Sequence, residues 1–150
     1  MVDGISFDFS ELDRLAGDLE SVPKNIGPFL MSAIKFTSVN IKRASRRKVQ
    51  ARHKRFRAAV LAIDFEVKKF SGFGVDIIQS EIGYDKDLVI GGGEWKTPGD
   101  LGNLLEFGAP GAPNAMTPGN ELSRSLHENE ADFIKGVERA EEDARKKAGL

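Results

Sequence analysis

Residues 122–147 carry the strongest pattern in the chain. Leu122, Leu126, Phe133, Val137, Ala140 and Ala144 fall at spacings of four, seven, four, three and four, the period of one helical face. Acids lead towards the start and Arg145, Lys146 and Lys147 close the run, which complements a helix dipole. Gly149 lies just past the end, and Thr117 or Asn120 can cap the beginning, with Pro118 near the first turn. A helix is therefore expected over 119–148. At about 1.5 Å per residue, roughly 27 residues span about 40 Å. That is long for a chain of 150 residues. Such a helix is expected to lie on a sheet and to leave part of its length for another surface.

The remaining segments supply that sheet and further helices. In a helical segment over 1–22, Ser10 and Asp13 suit a capping box, and Leu12, Leu15 and Leu19 make one apolar face. Pro23 opens a long basic helix over 23–57, with a stripe through Leu30, Ile34, Thr37, Ile41, Ala44 and Val49. Gly27 and Pro28 leave its regular start open between 23 and 29. The period then changes. Ile63, Phe65 and Val67 alternate with Asp64, Glu66 and Lys68, as in a half-buried strand. Ser71-Gly72-Phe73-Gly74 turns the chain into "VDIIQSEIGY", and Asp85-Lys86-Asp87 turns it again into "LVIGGG". An antiparallel sheet of three or four strands is thus expected over 58–93, followed by a Pro/Gly-rich loop region over 94–118. The fold class is α+β in one domain: N-terminal helices, a small antiparallel sheet, and a long C-terminal helix packed on it.

Chemistry is sparse in this sequence. It has no cysteine and only two histidines, His53 and His127, 74 positions apart in polar surroundings. Glu138, Glu141, Glu142 and Asp143 sit beside Arg139 and Arg145 and read as a solvated helical face. Gly91-Gly92-Gly93-Glu94-Trp95-Lys96-Thr97 lacks the glycine that a phosphate loop places before its lysine, and no G-x-S-x-G elbow occurs. No enzyme, cofactor or metal is expected. Nor is a membrane: no apolar run approaches the 18–20 or so residues that a span needs, and no signal peptide opens the chain. Cytoplasmic synthesis and assembly are expected.

Charge is segregated although the net charge is only −1. Residues 1–20 hold six acids and one base, while nine of the 22 Lys and Arg lie between 42 and 57. They are Lys42, Arg43, Arg46, Arg47, Lys48, Arg52, Lys54, Arg55 and Arg57. Three readings of this stretch stay open: complementarity to acids of the same chain or a neighbouring subunit, proximity to DNA phosphates, or simple solvation. No helix-turn-helix or RNP-like motif points to sequence-specific reading.

One carboxylate interrupts the apolar run Leu104-Leu105-Glu106-Phe107-Gly108, which passes directly into a loop holding Pro110 and Pro113. Leu104, Leu105 and Phe107 are expected to anchor a short turn or helix that Gly108 ends. Glu106 is expected either to meet backbone N–H groups or a basic residue, or to stand exposed. With Pro118, Leu122 and Leu126 following, this segment and the order of elements resemble the HK97 gp10-like family, small neck and tail-completion proteins of long-tailed bacteriophages. Two stretches differ from that family: "QARHKRFRAAV" replaces its usual Pro-x-x-Thr-Gly-x-Leu, and Gly119-Asn120-Glu121-Leu122 its Pro-Phe-Leu. The resemblance implies a structural virion protein at the head–tail junction. It would form a homo-oligomeric, typically sixfold ring that contacts the head-closure (stopper) protein, the tail terminator and the tail tube, with genomic DNA passing through. A tail terminator capping the tube, and a non-specific DNA-binding protein gripping phosphates with 42–57, are the alternatives.

Overall fold

The computed structural model of the chain describes residues 2–6, 26–52, 54–72, 75–89, 97–109 and 117–147. In order these form β1 (Val2–Ser6), α1 (Ile26–Gln50), a 3-10 turn at Lys54–Phe56, α2 (Ala59–Ala62), β2 (Ile63–Gly72), β3 (Val75–Asp85), α3 (Pro98–Phe107) and α4 (Glu121–Lys147). The architecture is α+β: an N-terminal helix, a two-strand antiparallel hairpin, and a long C-terminal helix packed against the first helix.

The alternation seen from Ile63 onward does set one face of the hairpin. Ile63 is buried and Phe65 and Val67 are half-buried, while Asp64 and Glu66 face solvent. On β3 the matching set is Ile78, Ser80, Ile82 and Tyr84, all buried. The strands pair from Ile63↔Tyr84 to Gly72↔Val75, so the connection falls at residues 73–74. Asp85 accepts the Asp87 N–H at 2.9 Å and turns the chain out of β3. The third strand comes from elsewhere than expected. β1 pairs antiparallel with β3 from Val2↔Asp85 to Ser6↔Glu81, giving the order β1-β3-β2. Leu88 and Val89 are not in a strand, and 90–93 lie outside the described residues.

Three other assignments change. Of the helical segment expected over 1–22, residues 2–6 form β1 instead, drawn into the sheet by pairing with β3, while the Ser10 cap and the Leu12, Leu15 and Leu19 face lie outside the described residues. The long basic helix is shorter than 23–57, because α1 ends at Gln50 and the chain turns twice, through Lys54–Phe56 and α2, before β2. The region assigned to loop at 94–118 contains α3, whose first residue is Pro98. A proline there loses nothing, since the first N–H groups of a helix are unpaired in any case. The Thr97 hydroxyl donates to Asp100 Oδ2 at 2.6 Å, and Gly108, at φ 74°, ends the helix with its N–H on Leu104 O at 2.8 Å.

The last correction concerns α4. It lies along α1 rather than on the sheet, and α1 meets the sheet with another face. Small side chains make this close approach possible: Thr37 and Ala44 on α1 and Ser125, Ala140 and Ala144 on α4 are buried, and a Cβ at Gly136 would stand 3.5 Å from that of Ala33. The helices run antiparallel. Lys48 and Arg52 pair with Glu128 and Glu121 at one end, and the Lys147 ammonium stands 5.8 Å from the Phe29 ring centroid at the other. A helix of α4's length finds its counterpart in one of 25 residues. On the sheet side, the Ser38 and Ser80 hydroxyls meet at 2.7 Å. The apolar core gathers Ile41, Val49, Ala59, Ala62, Ile63, Ile82, Tyr84, Leu101, Leu105 and Leu122, one or more from each of α1–α4 and from the hairpin.

Candidate functional site

Glu106 occupies the last turn of α3 and is 1 % exposed. Its Oε2 accepts the Leu122 N–H at 3.0 Å, and its Oε1 accepts both the Ser123 N–H at 3.2 Å and the Ser123 hydroxyl at 3.1 Å. The carboxylate therefore caps α4 from another helix, at the end where unpaired N–H groups and the dipole favour negative charge. Thr117 is exposed, and Asn120 holds φ 53° with its carbonyl accepting the Arg124 N–H at 2.9 Å. Neither residue's side chain does what Glu106 does. Two backbone bonds draw the segment before α4 onto α3: Gly119 N to Leu105 O at 2.8 Å and Asn120 N to Glu106 O at 3.4 Å.

Around this cap the chain buries further polar groups. Glu121, the first residue of α4, is 1 % exposed and forms an ion pair with Arg52, although among the described residues neither of its oxygens accepts a well-angled hydrogen bond. Tyr84, the sole tyrosine of the chain, is fully buried and its hydroxyl has no hydrogen-bond partner among the described residues. Burial first, then the Glu106 and Glu121 carboxylates, push its phenol far up, against the opposing charge of Arg52. Two carboxylates and one guanidinium thus meet where α1, β3, α3 and α4 converge. Charge in such a place is costly unless hydrogen-bonded and paired. Three donors and a helix terminus serve Glu106, and Arg52 serves Glu121.

The other residues of the Leu104–Gly108 segment divide. Leu105 is buried and Leu104 half-buried, but Phe107 is 61 % exposed. The expectation that Phe107 anchors the segment is therefore wrong: α3 turns Leu101 and Leu105 inward at i and i+4, and Phe107 falls on the opposite face. Pro110 and Pro113 lie outside the described residues.

The nine basic positions also sort into groups. Lys42 donates to Asp64 Oδ1 at 2.7 Å and stands over the Phe65 ring at 5.6 Å. Arg46 donates to the Ile63 carbonyl from Nε at 3.2 Å and from Nη2 at 2.9 Å. Lys48 pairs with Glu128, and Arg52 with Glu121. Arg43, Arg47, Lys54 and Arg57 are exposed, with no carboxylate partner among the described residues. Arg43, Arg46 and Arg47 line an open groove of about 560 Å³ together with Asn40, Glu128 and Asn129. His53 and the Arg55 side chain lie outside what the structure describes. Half of the stretch is thus used inside the chain and half faces outward.

His127 is exposed, with Glu130 3.8 Å away. Among the described residues no group of three or more His, Cys, Asp or Glu could hold a metal ion, and no helix is long and apolar enough to cross a membrane. On α4, Arg145 pairs with Glu141, and Lys146 with Glu142 at 2.9 Å, four residues apart, as on a solvated helical face. The roles of Glu121 and Tyr84 escaped sequence reasoning. Glu121 carries no periodic signal, since a glutamate in a first helical turn is ordinarily exposed. Tyr84 could have been singled out by its alternation with Ile78, Ser80 and Ile82. No protein family matches the chain, and neither a curated protein nor a solved structure matches it.

Proposed function

We propose that this chain is a non-enzymatic structural subunit of a long-tailed bacteriophage virion, a neck or tail-completion protein that assembles into a ring between the head-closure complex and the tail tube. The observation that carries this reading is the use made of the Leu104–Gly108 segment. The residues that resemble the HK97 gp10-like family bury a carboxylate that clamps the N-terminus of the final helix. Segregated charge supports the same reading. Ring contacts are heterologous, one patch meeting a different patch on the neighbour, and residues 1–20 hold six acids and one base while residues 42–57 hold nine bases and no acid. Such surfaces steer and register subunits more than they add affinity. The sixfold count, the stopper, terminator and tail-tube partners and the passage of DNA follow from the resemblance. A terminator ring is the sister reading.

Light scattering coupled to size-exclusion chromatography tests the proposal, on the chain alone and mixed with neck and tail proteins of the same virion. A closed oligomer that forms in at least one of these mixtures and loosens with salt is expected. A chain that stays monomeric throughout would overturn the reading.

A further inference from the structure

The groove between α1 and α4 carries an inference that does not depend on the ring. Along α1 from Lys42 to Gln50, and on to Arg52, four of the six bases have a partner in the chain: Lys42 has Asp64, Arg46 the Ile63 carbonyl, Lys48 has Glu128 and Arg52 has Glu121. Arg43 and Arg47 are the exceptions among the described residues. They stand four apart, so they share a helical face, an arrangement of like charges that mildly opposes the helix unless an anion lies between them. Asn40, three residues before Arg43, extends the same face.

The groove's other groups fit the same purpose. Arg46 lines it with a guanidinium already fixed by two bonds to one carbonyl. A guanidinium has five N–H donors, so that anchoring leaves donors over and holds the fork still. Asn129 closes the α4 side, its amide nitrogen donating to Ser125 O at 2.8 Å. Glu128 is the one acid in the lining among the described residues, and its carboxylate is taken by Lys48. We infer that this groove is a phosphate-binding site in which Arg43 and Arg47, backed by Arg46 and Asn40, grip an oxyanion. Arginine forks match the paired oxygens of a phosphate in a way that an ammonium does not. The groove is open to solvent rather than enclosed, which suits the phosphodiesters of a nucleic-acid backbone. Free phosphate is the other source of the same chemistry.

Fluorescence anisotropy of the full chain with a labelled duplex, at about 50 and 200 mM salt, separates these cases. The wild type is expected to bind with a clear salt dependence. Arg43→Gln/Arg47→Gln is expected to weaken binding at least tenfold at low salt and to flatten the slope of log K against log salt by about 2. Lys54→Gln/Arg57→Gln removes the same charge outside the groove and should do far less. All four residues are exposed, so both variants should melt with the wild type. Calorimetric titration with inorganic phosphate forms the second arm. Heat in the wild type that vanishes in Arg43→Gln/Arg47→Gln, without duplex binding, assigns the site to the free anion. Equal weakening by the two double variants would reduce the effect to bulk charge and overturn the site, as would a wild type that binds neither duplex nor phosphate. Chromatography of the same samples reports the ring separately, because monomer and ring alike are tested for the anion.

Discussion

Two buried polar side chains a short distance apart in the core show how partners, rather than polarity, decide what burial costs. Glu106 has three donors and a helix terminus; the Tyr84 hydroxyl has none among the described residues. Glu106→Gln keeps the shape but removes the charge and turns one oxygen into a donor facing a donor. Lost charge-assisted bonds at a buried cap place the expected destabilisation at about 2 kcal/mol, or roughly 4–8 °C in Tm for a chain of this size. Tyr84→Phe removes a group that makes no bond, so its effect should stay within about 1 kcal/mol and can be stabilising. Thermal and denaturant melts of the two variants check the contrast. A Tyr84→Phe loss equal to that of Glu106→Gln would contradict the account. The sequence already marked Glu106 as a carboxylate in an apolar run. Which N–H groups it meets was not legible, because α4 begins 15 positions after it and only the packed chain brings the two together.

Between elements, glycine sets the closest approach. A Cβ at Gly102 would fall inside the Tyr84 ring, and one at Gly99 would fall on the Asp85 carbonyl. α3 therefore lies flush on β3 through two glycines three apart, which turns Leu101 and Leu105 into the core. Gly102→Ala ordinarily favours a helix by up to about 1 kcal/mol. Here the ring or the whole helix must shift, and overpacking of this kind costs about 1–3 kcal/mol. The expected net result is a lower melting temperature, read by calorimetry; a rise would mean that α3 does not seat on Tyr84. This element was nearly invisible in advance. Pro98 and Gly99 look like helix breakers in the sequence, yet a proline at the first position and glycines at a tight contact are compatible with helix. The stripe of α1 and the alternation of β2 were readable because each depends on a period that tertiary context left intact. The pairing of α4 with α1 was not, since an apolar stripe names no partner.

At the scale of the whole molecule, ion pairs tie α1 and the turn after it to neighbours on both sides: Lys42 to Asp64 on the hairpin, Lys48 and, just past the helix, Arg52 to α4. The first gives a pH signature. Burial tends to raise the Asp64 carboxyl, but the Lys42 hydrogen bond, the Phe65 N–H and the charges of Lys42 and Arg46 together hold it below its ordinary value of 3.8. A carboxyl lowered by folding stabilises the fold above its unfolded pKa, and that contribution disappears as pH falls through the folded value. The Tm advantage of wild type over Asp64→Asn should thus be constant from about pH 7 to 5 and shrink below about 3.8. Melting curves at several pH values check this, and a gap that widens in acid would contradict it. The Glu106 clamp has a consequence of a different kind. It fixes the start of α4 against the end of α3 by direct bonds, with Gly119 held to Leu105 alongside. The length of the connection between Gly108 and Thr117 is thereby uncoupled from the helix register. Each doubling of such a connection adds only about 0.6 kcal/mol of closure entropy. Related chains could lengthen or shorten this stretch, and change what it touches, while α3 and α4 keep the same alignment.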